Sequence, residues 1–283
     1  MVSPAFTDRM RELGLDMSLY NTYPRKSLYI LRNEDEIVST FALNPVPWAK
    51  ACYWADDPKK IEHLYHDSVF IQDAASVVPV LALDVTDKDM VIDLCAAPGS
   101  KTLHLVRTAK HVIACDSHSK RVKRLEHTMR RFHIANCTIV HRDGRRLQLT
   151  DHDRVLVDAP CTGEGMVGKI HKVLKMWSVK RIKVMAKIQK QLLVQGLSLV
   201  KEGGILVYST CTFAPEENEG VVDSVLRKRN VKLEPVSIEN LHYIPGLTCW
   251  QKKEYDPSLE KTIRIYPHHN DTNGFFVAKF RKV

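Results

Sequence analysis

Five short apolar runs recur between Met90 and Ser209, separated by stretches of helical period, and this alternation constrains the fold more than any other feature. The runs are MVIDLC (Met90–Cys95), HVIACD (His111–Asp116), CTIVH (Cys137–His141), RVLVDAP (Arg154–Pro160) and GILVYS (Gly204–Ser209). Each is too short for a buried helix, and most are rich in β-branched residues, so they read as strands buried on both faces. Between and after them, Lys101–Ala109, Ser119–Phe132, Val179–Val200 and Glu216–Lys228 read as helices, the last with an acidic first turn that suits the helix dipole. Strands alternating with helices predict an α/β fold with a mostly parallel sheet. Gly203-Gly204 predicts a turn that opens the fifth strand. The closing segment GFFVAKFRK (Gly274–Lys282) alternates and lies too near the end for another crossover, so it is expected to add as an antiparallel edge strand.

With 283 residues the chain has room for about two units. The first part lacks the alternation. It holds a strand-like SLYIL (Ser27–Leu31), an acidic break NEDE (Asn33–Glu36) and NPVPWAKACYW (Asn44–Trp54). We divide the chain into a small α+β extension over residues 1–80 and a catalytic domain over 81–283. Charge divides it similarly: residues 1–89 hold 9 basic and 14 acidic side chains, whereas the remainder holds 33 and 19. A basic body behind an acidic head points to a polyanionic partner. The longest apolar run, Ala74–Leu83, is about half of what a spanning helix needs, and MVSPAFTDRMRELG does not show a basic and then apolar leader pattern. Seven widely spaced cysteines with no CxxC pair suit reduced thiols and suggest no metal ligand set. The expectation is a soluble cytoplasmic protein, monomeric, with neither metal nor membrane among its partners.

In open α/β sheets ligands bind beyond the carboxyl ends of the strands. The first strand ends in Asp93-Leu94-Cys95-Ala96-Ala97-Pro98-Gly99-Ser100-Lys101-Thr102, a small-residue turn whose amides can receive a carboxylate at the following helix N-terminus. It is neither GxGxxG nor a phosphate loop. Asp116 ends the second strand, placed to accept hydrogen bonds from two ribose hydroxyls. Asp143-Gly144 follows the third strand, facing an adenine edge in this reading. The fourth ends in Asp158-Ala159-Pro160-Cys161 and the fifth in Ser209-Thr210-Cys211. Adjacent parallel strands lie about 4.8 Å apart, so if the fourth and fifth are neighbours, both thiols reach one pocket beside a carboxylate. A thiolate there is a candidate nucleophile. Cys95 reads as a pocket wall, and Cys52, Cys115, Cys137 and Cys249 as structural thiols.

Four segments together resemble the NOL1/NOP2/Sun family of RNA cytosine-5 methyltransferases: Asp93–Thr102, Asp158-Ala159-Pro160-Cys161-Thr162-Gly163-Glu164-Gly165, Tyr208-Ser209-Thr210-Cys211-Thr212 and Pro215-Glu216-Glu217-Asn218-Glu219. The likeness runs from Phe70–Ser76 to Gly274–Lys279, and the short length is similar to archaeal tRNA members. It implies a Rossmann-like fold that uses S-adenosylmethionine. It further implies that Cys211 attacks C6 of cytosine, that Cys161 assists proton removal and release, that Asp158 holds the ring edge and that Lys101 orients Asp158 or the base. The cofactor pocket it implies comprises Cys95, Ala96, Ala97, Pro98, Gly99, Ser100, Lys101, Asp116, Arg121, Asp143, Gly144, Asp158 and Pro160. Ser100 stands where the family loop has a second glycine, which is tolerated if that position needs no positive φ. The N-terminal region shows no clear Arg-x-Asn-Thr-Leu element.

Two basic clusters suit RNA phosphates. Lys169, Lys172, Lys175, Lys180, Arg181, Lys183, Lys187 and Lys190 run without an intervening acid, and Trp177 among them either stacks on an unpaired base or sits in the core. The second comprises Lys120, Arg121, Lys123, Arg124, Arg130 and Arg131. The expected function is cytosine-5 methylation of RNA, with tRNA as the leading substrate. The alternatives are rRNA methylation and a non-catalytic RNA-binding or assembly factor.

Overall fold

The five apolar runs form one parallel sheet, its inner strands buried on both faces and the strand from Cys137–His141 half-exposed at the edge. The structure, a computed structural model, describes residues 3–21 and 23–283. The first part contributes α1 (Pro4–Glu12), β1 (Ser27–Ile30), α2 (Glu34–Phe41), β2 (Asn44–Pro45), β3 (Cys52–Trp54), α3 (Pro58–Leu64) and β4 (Val69–Ile71). Its strands make an antiparallel sheet of order β2-β3-β1-β4. The apolar run that includes Ala74–Leu83 becomes a 3-10 turn and then α4 (Val78–Leu83).

The main sheet begins with β5 (Met90–Asp93), followed by α5 (Ser100–Thr108), β6 (His111–Asp116), α6 (Ser119–Arg131), β7 (Cys137–His141) and β8 (His152–Asp158). Then come α7 (Ile170–Met176), α8 (Val179–Leu199), β9 (Val200–Thr210), α9 (Glu219–Leu226) and β10 (Val231–Glu234). The chain closes through β11 (Ile244–Pro245), a small hairpin of β12 (Cys249–Trp250) and β13 (Lys253–Glu254), β14 (Ile263–Ile265), α10 (Pro267–Asn270) and β15 (Phe275–Lys282). The sheet order is β11-β14-β15-β9-β8-β5-β6-β7, with β10 also paired to β15. Strands β7, β6, β5, β8 and β9 are mutually parallel. Connections leave β5 toward β6 on one side and β8 lies on the other, so the topological switch point falls beside β5.

Alternation along each strand sends side chains to two separate cores. Val155, Val157, Leu206 and Tyr208 face Leu192, Leu193, Leu197, Val221 and Val225 of α8 and α9. Leu156, Ile205 and Val207 face Val78, Ala82 and Leu83 of α4 and Leu105 of α5. The run read as an apolar stretch is therefore a helix that covers one face of the sheet. Helix α1 lies away from the small sheet, its Phe6 and Met10 packing on Val167, Ile170, Phe213 and Tyr266. Among the described residues no helix is long and apolar enough to cross a membrane.

Three expectations are refined. The C-terminal strand is antiparallel to β9, with Ala278 opposite Tyr208, but β14 and β10 pair with its far side and carry the edge outward. The fifth strand starts at Val200, and the Gly203-Gly204 turn is a bulge within it: His152 pairs with Val200 and Arg154 with Ile205. The helix expected from Glu216 starts at Glu219. Residues 215–218 form a turn instead, because Asn218 is spent on bonds back into the strand end: its Nδ2 donates to Thr212 O (2.9 Å) and its Oδ1 accepts from Thr210 Oγ1 (2.6 Å). Of the acids expected in the first helical turn only Glu219 is there, and it faces inward, not the helix dipole.

Glu219 is fully buried against Arg264 of β14, which donates from Nε and Nη2 at 2.6 Å each. Arg264 Nη1 also donates to Phe213 O (3.1 Å), so the pair ties the antiparallel strands to the chain leaving β9. Glu219→Ala leaves a buried guanidinium uncompensated and is expected to destabilise by about 3–5 kcal/mol. Glu219→Leu combined with Arg264→Met recovers much of that loss. Urea denaturation midpoints of the three proteins check this, and a midpoint for Glu219→Ala equal to wild type refutes it.

Candidate active site

Strands β8 and β9 run side by side with Asp158 opposite Ser209. Their outgoing chains stay together, and the Sγ atoms of Cys161 and Cys211 lie 3.2 Å apart. Both thiols are free and partly accessible. The neighbouring Cys211 sulfur, followed by burial, holds the Cys161 thiol protonated, well above the usual cysteine range. Gly165 keeps the two loops in contact. Its N–H donates to Cys211 O (3.0 Å) and its carbonyl accepts from Gly274 N (2.8 Å). A Cβ at Gly165 would stand 2.6 Å from the Gly274 carbonyl oxygen, so only glycine fits.

The Asp158 carboxylate is gripped from both sides, by Lys101 Nζ (2.7 Å) and by Ser209 Oγ (2.7 Å). Lys101 sits in the first turn of α5 with only 7% of its surface exposed, its Nζ 5.2 Å from the centre of the Phe275 ring. A cation there opposes the helix dipole, and Asp158 compensates it. Lys101 is thus directed at Asp158 rather than at either thiol.

The cofactor-side residues line the ends of β5, β6 and β7. Gly99 precedes α5 at φ +112°, a conformation that L side chains rarely adopt, and α5 has no side-chain cap. Ser100 is already helical, which is why serine is accommodated. Asp116 is buried and accepts from His118 N (3.0 Å) and Ala97 N (3.3 Å), with Arg121 Nη2 at 3.0 Å. Arg121 also donates to Ala97 O (2.6 Å). Asp143 is covered by its neighbour Arg145 (2.6 Å). Gly144 is buried, with no room for a Cβ against Leu94, Pro98 and Pro160 are exposed, and Cys95, Ala96 and Ala97 form the wall. Asp93, behind the loop, accepts from Thr102 Oγ1 (2.7 Å), and its Oδ1 is buried without a partner. An uncapped helix start, a loop of small residues and two strand-end carboxylates are a donor and acceptor set that fits S-adenosylmethionine. A ribose held at Asp116 would have to share it with Arg121, and an adenine edge held at Asp143 would have to displace Arg145.

Several residues of the site had no role assigned from sequence. Glu217 turns inward from the 215–218 turn, and its Oε2 accepts from Thr162 N (3.1 Å) and Gln189 Nε2 (2.7 Å). Glu164 accepts from Trp177 Nε1 (2.7 Å) and Thr212 Oγ1 (3.1 Å). Burial pushes Glu217 up to about 7 and raises Glu164 as well. The available signal was the cluster of acids inside two motifs that otherwise hold small and apolar residues. Trp177 packs edge-on against Phe6 (5.1 Å) and is an anchor rather than a stacking platform. Six lysines of its cluster, Lys169, Lys172, Lys175, Lys180, Lys183 and Lys187, are exposed. In the second cluster Arg131 is engaged with Glu62 (3.0 Å) and Val69 O (2.7 Å), holding the small sheet to α6. A cavity of about 930 Å³ between the small sheet and α5, lined by Tyr29, Trp48, His104 and Arg107, lies apart from these strand ends.

Comparison with known proteins agrees with this architecture. A family model described as 16S rRNA methyltransferase RsmB/F matches residues 80–281. The chain is 38% identical to a mouse 28S rRNA (cytosine-C(5))-methyltransferase over 75% of its length, but spans only 28% of that protein. It is 35% identical to the tRNA (cytosine(49)-C(5))-methyltransferase of Pyrococcus abyssi, covering 86% of this chain and 81% of that one. Among solved structures, a methyltransferase homolog from Pyrococcus horikoshii superimposes over the whole of both chains with a TM-score of 0.81 and 28% identity.

Asp93 gives the site a measurable titration. Burial pushes its carboxyl up to about 7 from an ordinary 3.8. With the folded-state value raised, its favourable contribution is complete below about pH 4 and is lost as pH rises through about 7. The stability of wild type relative to Asp93→Asn is therefore expected to fall by roughly 4 kcal/mol across that window. Parallel urea titrations at several pH values check it, and a pH-independent difference refutes it.

Proposed function

The chain belongs to the 16S rRNA methyltransferase RsmB/F family, and on that premise we propose that it methylates C5 of a cytosine in RNA through a covalent bond from Cys211. The observation that carries the reading is the pair of sulfurs 3.2 Å apart at the ends of adjacent parallel strands, beside the Asp158 carboxylate. C5 of cytosine is a poor nucleophile. Cys211 gives up its proton and its thiolate adds to C6, breaking the C5–C6 π bond and pushing electrons toward C5 and N3, and N3 takes up the balancing proton. Asp158, already oriented by Lys101 and Ser209, accepts from a protonated N3 and stabilises the charge that develops there. S-adenosylmethionine, when bound, supplies an electrophilic methyl group to C5. Removal of the C5 proton then returns electrons to the ring and expels the Cys211 sulfur.

Cys161 suits that last step. While Cys211 is free, its sulfur keeps Cys161 protonated. Once Cys211 is bonded to C6 that influence is gone, and Cys161 becomes better able to act as a base or through a neighbouring water. The target base must leave its stack to meet both sulfurs. The exposed lysines of α7, α8 and the segment before them are suited to hold the phosphates around it. All seven cysteines are unpaired, which suits a reducing cytoplasm.

We take tRNA as the substrate class because the chain matches the tRNA enzyme of Pyrococcus abyssi over most of both lengths. The rRNA reading is favoured instead by the description of the family model and by the 38% identity to the mouse rRNA enzyme. Reaction of the purified protein with labelled cofactor and separated tRNA and rRNA, followed by bisulfite sequencing, decides between them. A modified nucleoside other than 5-methylcytidine overturns the proposal.

Three further outcomes are expected. Cys211→Ala abolishes methyl transfer while RNA retention on a filter persists, whereas Cys161→Ala accumulates a protein–RNA adduct that survives denaturing electrophoresis. Freely released, normally methylated RNA from Cys161→Ala contradicts the two-sulfur scheme. Replacing Lys172, Lys175, Lys183 and Lys187 by Ala weakens binding and makes the slope of log affinity against log salt shallower by about 0.7–0.9 for each phosphate that is no longer neutralised. An unchanged slope removes this face from the RNA path.

A further inference from the structure

Behind the two sulfurs, four buried side chains form a chain of oxygen contacts. Glu217 Oε1 meets Thr162 Oγ1, Thr162 Oγ1 meets Thr212 Oγ1 (2.9 Å), and Thr212 Oγ1 meets Glu164 Oε2 (3.1 Å). All four residues are buried, the two glutamates completely. Thr162 directly follows Cys161 and Thr212 directly follows Cys211. The central contact therefore joins the residues next to the two thiols.

Hydrogen counting constrains this chain. Three oxygen–oxygen contacts need three hydrogens, one between each pair. The two hydroxyls supply one each, and an ionised carboxylate supplies none. The other oxygen of each glutamate receives only donors: Thr162 N and Gln189 Nε2 on Glu217, and Trp177 Nε1 on Glu164. The Gln189 amide nitrogen also donates to Pro160 O (2.8 Å), so both of its partners are acceptors and its orientation is determined. The missing hydrogen must then be a carboxyl proton. If both glutamates were ionised, one contact would set two lone pairs against each other in a site without solvent.

We propose that Glu164, Thr212, Thr162 and Glu217 form a brace that holds one shared carboxyl proton and sets the separation of the Cys161 and Cys211 loops. The four are positioning residues, and the proposal rests on the two-sulfur reading above. The Trp177 N–H on Glu164 and, less so because it is paired with Glu216, the Arg9 guanidinium favour the ionised form of Glu164, so the proton is drawn on the Glu217 side. The chain then runs from the Glu217 hydroxyl to Thr162, from Thr162 to Thr212, and from Thr212 to the Glu164 carboxylate. Reversing all three hydrogen bonds moves the proton to Glu164 and leaves every contact made.

The same count separates conservative from disruptive variants. A glutamine at 217 donates one amide hydrogen to Thr162 while its carbonyl keeps the bonds from Thr162 N and Gln189. No carboxyl proton is then needed, and Glu164 ionises. A glutamine at 164 does the same from the other end.

Infrared difference spectra of the full-length protein test the shared proton without requiring methylation. Wild type minus Glu217→Gln and wild type minus Glu164→Gln are each expected to show loss of one carboxylic acid carbonyl band, while Asp93 contributes equally to all three proteins and cancels. If only one variant loses the band, the acids titrate independently and the proposal fails. If neither loses it, both are ionised and it fails too. Kinetics on the RNA substrate then test the positioning role. Thr162→Val and Glu217→Ala are expected to lose about tenfold to hundredfold in kcat, the scale of an ångström-sized misplacement of reacting groups, with KM for RNA little changed. Glu217→Gln recovers most of what Glu217→Ala loses. Equal impairment of Gln and Ala, or a loss carried by KM, overturns the role. Absence of any 5-methylcytidine from wild type instead sinks the reading beneath it and leaves the infrared result standing.

Discussion

The parallel pairing of β8 with β9 is the constraint on which the rest of the site depends. With Asp158 opposite Ser209, the chains leaving the two strands start about one strand spacing apart, and two cysteines separated by 50 residues in sequence become neighbours. A slip of one residue in this register would turn one thiol to the opposite face of the sheet. Two-sided burial guards against the slip, because Val155 and Val157 belong to one core and Leu156 to the other. Misregister would exchange both sets at once.

Charge is organised around that pairing. The acids at the strand ends each meet a different partner: Asp158 a buried lysine, Asp116 a half-exposed arginine together with backbone amides, Asp143 an adjacent arginine, and Asp93 a threonine hydroxyl. The two that a nucleoside would meet, Asp116 and Asp143, are held by arginines reachable from solvent, so a ligand can displace or share them. Asp158 is held by Lys101 from within the fold, which suits a group whose orientation must not change. Farther from solvent the glutamates at 164, 217 and 219 are paired or hydrogen-bonded, consistent with the large cost of an isolated buried charge.

The sequence is legible where the physics is local. β6 and β7 match the apolar runs, β6 because an inner strand needs a continuous apolar run, and β7 because β-branched residues suit a strand even at a half-exposed edge. β5 stops two residues short of its apolar run, whereas β8 begins before its run, at His152, and β9 before its own, at Val200, because backbone pairing continues through polar residues that carry no apolar pattern. The Glu216–Lys228 segment departs from expectation at its start, since an acidic triplet before an apolar run is a good helix-start signal and nothing in it announces that Asn218 would bond back to Thr210 and Thr212. Trp177 is ambiguous in sequence for a similar reason: the ring that packs against it belongs to Phe6, 171 residues earlier.

The chain by itself determined the parallel sheet and the placement of two cysteines just beyond its fourth and fifth strands, because period, burial and strand termini are written in consecutive side chains. Only the tertiary structure decided that Lys101 is aimed at Asp158, that Arg131 holds the small sheet rather than facing solvent, that α1 covers the thiol loops, and that two glutamates meet two threonines behind the sulfurs. Those outcomes depend on distances between residues far apart in sequence, and on whether each buried polar atom finds a hydrogen, which no local pattern records.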